Sequence, residues 1–205
     1  MGGYLAGTVV HPRRTFDRLR DDPGKVSRGF KAMLLIGLLY TATAAALAAS
    51  GALPAAPPFL RIAEMNYYFY EIFFALPVFL AGWVFAAGFA VLISGRGTGG
   101  GGFEDTLAAF GLAIAVPSFV TWLPETVFAG YLLSGGSQAA FMDRTAEPGF
   151  WQAFIWGYQI VFFVWMVSLL AVAVAASRRV RWPRAILTAI LTGFVFLAFV
   201  AVFIR

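Results

Sequence analysis

The chain has 205 residues, 60% hydrophobic and only 12% charged, with mean hydropathy +0.80, more apolar surface than one soluble core of this length hides; lipid is its solvent. Cys is absent and His11 is the only histidine, which excludes disulfides, thiolate chemistry and a metal centre built on Cys or clustered His, so no cofactor and no metal are expected. The net charge of +5 is carried by arginines at the ends of apolar runs, a placement that sets topology and meets anionic lipid rather than nucleic acid.

Residues 1–31 form a basic leader. The first ten residues have no basic n-region, so no cleavable signal peptide is expected and the first span stays in the mature protein. Pro12 suits the first turn of a short helix that puts Phe16 and Leu19 on one side, with Arg13, Arg14, Arg18 and Arg20 around them. It reads either as an amphipathic helix lying on the headgroups or as a solvated basic leader that fixes orientation.

A hydrocarbon core of about 30 Å takes roughly 20 helical residues, and five stretches of the domain 32–205 meet that length: 32–53, 67–94, 105–133, 150–176 and 184–204. The fold class is therefore an all-α polytopic bundle with five transmembrane helices and a short N-terminal amphipathic helix. The first span is rich in small residues that permit close helix approach, and Pro54, Pro57 and Pro58 mark its exit. Asn66, Tyr67, Tyr68 and Tyr70 open the second as an interfacial belt, and Pro77 bends it. The third carries Pro117 and Pro124, the fourth starts with Trp151 and Trp156, and the fifth lies between Arg184 and Arg205.

Five spans put the termini on opposite sides. Counted by side, twelve Lys and Arg in the leader, at Arg96 and in the Arg178–Arg184 loop oppose Arg61, Arg144 and Arg205. The leader, the glycine loop and the Arg178–Arg184 loop are expected in the cytoplasm and the C-terminus outside. The arginine-rich, Ala- and Gly-rich composition suggests a bacterial cytoplasmic (inner) membrane.

Two carboxylates, Glu71 and Glu125, fall within apolar spans, where an ionisable group calls for a functional hypothesis. Glu125 lies 20 residues from Asp105, about 30 Å at helical rise, and Glu71 lies 23 residues from Ser94, about 35 Å. Gln159 comes out about 28 Å from Arg178 by the same rise, with Asn66 and Gln152 just above. These residues form either a polar, outward-opening site for a proton, cation or small substrate, or an ordinary interfacial band. Pro124 adds freed backbone carbonyls to the first reading.

The segment Gly95–Gly102 is no phosphate cradle, because neither Lys-Ser/Thr follows its last glycine nor a strand precedes it. It reads as a cytoplasmic hinge through Gly99, Gly100 and Gly101, with Pro77, Pro117 and Pro124 as bends in the spans. Glu104 and Asp105 suit the first turn of the third span. The known intramembrane protease signatures need membrane histidines or paired aspartates that this chain lacks, which leaves only a carboxylate-only mechanism through Glu71 and Glu125. The chain is read as non-enzymatic.

Three segments resemble the Yip1 domain family. They are H-P-R-R-T-F-D-R-L-R-D-D-P at 11–23, G-R-G-T-G-G-G-G-F-E-D-T-L at 95–107 and F-G-L-A-I-A-V-P at 110–117. They are similar to the family's Pro-Phe-Pro leader, its Gly-rich loop with a Phe before the third span, and the glycine-to-proline pattern that follows. The resemblance implies five spans, a cytosolic N-terminus and no catalytic residues. In eukaryotic members it implies vesicle trafficking with Rab GTPases and fellow family members. Only some 31 residues precede the membrane here, which points to a bacterial member acting in membrane organisation rather than to a Rab-binding one. The expected partners are anionic lipids, met by Arg13, Arg14, Arg18, Arg178, Arg179, Arg181 and Arg184, and a second copy or other membrane proteins. The alternative is a small transporter, channel or lipid-moving protein built on Glu71 and Glu125.

Overall fold

A computed structural model describes residues 2–55, 59–95 and 97–204. Pro57, Pro58, Arg96 and Arg205 lie outside the described residues. The order is α1 (Gly2–Val10), α2 (Pro12–Arg20), α3 (Lys25–Ser50), a 3-10 turn (Glu64–Asn66), α4 (Tyr67–Ser94), α5 (Phe103–Leu133), α6 (Gln138–Ala146), α7 (Phe150–Arg178) and α8 (Trp182–Phe203). Among the described residues there is no strand, and five helices, α3, α4, α5, α7 and α8, are long and apolar enough to cross a membrane.

Local chemistry sets the boundaries. Pro12 starts α2, where a missing amide costs nothing. α3 begins at Lys25 instead of 32, because Lys25, Arg28 and Lys31 prolong the apolar helix toward the headgroups. It ends at Gly51, whose φ of +70° lets Ala52 N–H reach the Leu47 carbonyl at 3.1 Å. α6 lies in the third loop, where the sequence pattern predicts no helix; at nine residues its apolar pattern is too short to read. Ser137 caps it through Ala140 N–H, and the Gln138 amide exchanges two hydrogen bonds with the Leu53 backbone, tying α6 to the exit of α3.

α5 is the centre of the bundle, buried without interruption from Thr106 to Ser118. A helix that is apolar all round needs neighbours all round. α3, α4 and α7 supply them, α1 and α2 close over the leader end, and α8 packs on α4 and α7. α3 and α5 meet backbone to backbone: a β-carbon on Gly29 would stand 2.7 Å from the Ala108 carbonyl oxygen, and one on Gly111 would stand 2.6 Å from the Gly29 Cα. Small residues at such crossings are how membrane helices gain packing where lipid supplies no hydrophobic drive. Farther along, Tyr40 and Thr43 of α3 hydrogen-bond Thr121 and Thr126 of α5 on either side of Pro124.

α2 is amphipathic as expected, but its apolar pair faces protein. Phe16 and Leu19 are buried as part of the main core, which also holds Met33, Phe110 and Val174. α2 is thus held to the ends of α5 and α7, with Arg13, Arg14 and Arg18 left exposed and Arg20 half-buried.

Candidate functional site

At the end of the bundle away from the leader, Glu71 stands one turn into α4 and is 4% exposed. Its Oε2 is buried without a hydrogen-bond partner among the described residues. Glu125, one residue past Pro124 on α5, is half-buried and within electrostatic reach of Glu71. Tyr40 of α3, Tyr68 of α4 and Tyr158 of α7 are also within reach of the Glu125 carboxylate. The two glutamates thus share one polar patch drawn from four helices. Buried carboxylates at this level are costly unless a proton or cation neutralises them.

The other residues expected at this level are placed differently. Gln159 is exposed, its side chain bonded to Tyr158. Asn66 is exposed at the start of α4. Gln152 donates to the Ala146 carbonyl at 3.3 Å and so holds the turn from α6 to α7. Sequence reasoning missed Tyr40, Thr43, Thr121 and Thr126. Their signal was faint, because a hydroxyl in an apolar helix usually bonds its own preceding turn, as Ser118 does with the Ile114 carbonyl.

The leader end holds a second constellation. The glycine segment, read as a flexible hinge, is fastened down: Gly97 N–H donates to the Arg178 carbonyl at 3.0 Å and Gly101 N–H to the Ser177 carbonyl at 2.7 Å. Glycine is required there because β-carbons on Gly97 and Gly100 would overlap the carbonyls of Arg179 and Arg178. Arg178, expected at the lipid surface, is 5% exposed. Its guanidinium donates to the Gly95 carbonyl at 2.7 Å, the Gly101 carbonyl at 2.6 Å and Ser94 Oγ at 3.2 Å. It faces inward because loop carbonyls left without helix partners need donors, which a fork of N–H groups provides. Asp105 accepts Gly102 N–H and pairs with Lys25 at 2.6 Å, locking α3 to the start of α5. Arg13, Arg14, Arg18, Arg179, Arg181 and Arg184 remain exposed.

The leader has its own latch. Tyr4 hydroxyl donates to Asp22 Oδ2 at 2.8 Å, Gly24 N–H to Oδ1 at 2.7 Å, and Arg18 and Arg28 lie over the Tyr4 ring. The bond from Tyr4, then that from Gly24, holds the Asp22 carboxyl below its ordinary value of 3.8. Burial, then Asp22, pushes the Tyr4 phenol above its ordinary 10.0. The depressed acid stabilises the fold above its ordinary value, and that contribution is lost as pH falls below it. The raised phenol contributes below its ordinary value, and this is lost as pH rises past it. A small drop in thermal midpoint is expected on acidification through pH 3.8, with a flatter acid limb in Tyr4→Phe; identical limbs in melting curves would refute the latch.

A family model described as the Yip1 domain matches residues 6–204. No curated protein and no solved structure matches the chain.

Proposed function

The chain belongs to the Yip1 domain family, and from that premise we propose that it is a non-enzymatic membrane-organising protein with a trafficking-like role. It acts through contacts with anionic lipid and with other membrane helices, those of a second copy or of a different protein. Its membrane is the bacterial inner membrane, with the leader on the cytoplasmic face and the C-terminus outside. The observation that carries this reading is the distribution of charge. Apart from Arg61 and Arg144, every described Lys and Arg stands in the leader, in the first turns of α3 or around the α7–α8 turn. Exposed Phe73, Phe85, Leu92 and Phe194 are left to meet lipid or a partner helix.

One reconstitution tests this. In bilayers mixing phosphatidylcholine with phosphatidylglycerol, native mass spectrometry is expected to release the protein with phosphatidylglycerol preferentially bound, and proteoliposomes are expected to show no ion or proton flux. Equal retention of both lipids would refute the lipid-organising role. A second reading, a small transporter, rests on the buried unpaired oxygen of Glu71 beside Glu125. It requires a flux that disappears in the Glu71→Gln, Glu125→Gln double variant, and a flux equal in both proteins ends it.

A further inference from the structure

Between α2 and the α7–α8 turn runs a groove of about 540 Å³. Its polar wall is built from two stretches far apart in sequence: Arg13 and Arg20 from α2, Arg179 and Arg181 from the turn. Asp17 is the one carboxylate on the lining, and Arg20 also approaches Asp21 at 3.6 Å. The cationic excess survives both. The lining also has an apolar part, Val172 and Ala175 on the last turns of α7, then Val180 and Trp182. Arg179 takes the left-handed conformation at φ 51°, which ends α7.

We propose that this groove seats the phosphate of an anionic membrane phospholipid. The arginines hold the headgroup and the apolar lining residues receive the start of the acyl chains. Guanidinium forks match phosphate oxygens in a way single ammonium groups do not. The groove sits where α7 passes from apolar sequence to arginine and a tryptophan begins α8, which is where headgroups lie. Phosphate chemistry alone would also admit a soluble phosphate ester; the apolar residues Val172, Ala175, Val180 and Trp182 in the same lining argue for lipid. This inference rests on the anionic-lipid reading above and narrows it to one site.

The test uses the full chain in nanodiscs of phosphatidylcholine doped with phosphatidylglycerol, read by native mass spectrometry. Arg13→Gln with Arg181→Gln is expected to weaken phosphatidylglycerol retention roughly thirty-fold at two surface arginines lost, while Arg61→Gln with Arg144→Gln, at the other end, leaves it unchanged. Ala175→Trp, which fills the groove and keeps every charge, is expected to reduce retention as well. Unaltered melting curves show that the arginine variant is folded. Retention that ignores both groove variants overturns the site while leaving the general lipid preference standing. Wild type without any preference for phosphatidylglycerol overturns both. Displacement of the bound lipid by soluble glycerol phosphate assigns the groove to a free ester and overturns the lipid.

Discussion

Replacing Gly111 by leucine is expected to destroy the α3–α5 crossing and cause the largest stability loss of any single substitution in the apolar core. The added atoms have nowhere to go: a β-carbon alone would meet the Gly29 backbone, its Cα at 2.6 Å, and backbone cannot swing aside as a side chain does. Overpacking a core ordinarily costs about 1–3 kcal/mol, and contact with rigid backbone falls at or beyond the top of that range. The two helices must separate at this point, which strains the Tyr40–Thr121 and Thr43–Thr126 bonds farther along the same pair. Gly29→Leu is expected to do the same, and the double variant to fall short of the sum because one contact is being broken. Gly157→Leu on α7, where nothing lies within 4 Å, serves as the control. Melting in detergent that places Gly111→Leu level with Gly157→Leu would contradict the crossing.

The second large effect belongs to Arg178. Arg178→Gln leaves the carbonyls of Gly95 and Gly101 without the donors that now reach them at 2.7 and 2.6 Å. Hydrogen bonds to a charged group are worth about 1.5–3 kcal/mol each, so the loss is about 3 kcal/mol even if water recovers part of it. Arg178→Lys is expected to rescue little, since one ammonium replaces a fork that spans two carbonyls and a serine hydroxyl. Hydrogen exchange gives the specific signature. The Gly97 and Gly101 amides, bonded to the Arg178 and Ser177 carbonyls, should lose protection while amides at the centre of α5 keep theirs. Protection unchanged in Arg178→Gln would show that the loop holds itself.

These two residues show where sequence reading succeeds and where it stops. Lipid imposes length and hydropathy on any spanning helix, so the five spans are legible from the length of the apolar runs, and the spacing of Phe16 and Leu19 marks the short helix of the leader. Gly111 lies within a recognisable motif, yet nothing in an apolar run tells a glycine that another backbone touches from one that faces open space, as Gly157 does. Arg178 is one of four arginines in seven residues, and charge counting treats them alike. Which one turns inward depends on the loop packed against it, a segment some eighty positions earlier. For Glu71 and Glu125, helical rise gave the level, and the rotation of α4 and α5 that brings them within reach of each other is a tertiary property. A glycine segment reads as loose because glycine is permissive by itself; the Ser177 and Arg178 carbonyls that accept its amides supply the constraint.

The enclosed position of α5 bears on how the protein is made. The least apolar of the five spans is also the most deeply enclosed, and of its membrane neighbours only α3 and α4 precede it in the chain. During synthesis its α7 side therefore meets lipid or the insertion machinery until the α7–α8 hairpin arrives. That hairpin brings Ser177 and Arg178, whose bonds fasten the loop before α5. The arrival of α7 and α8 thus locks a helix inserted before them.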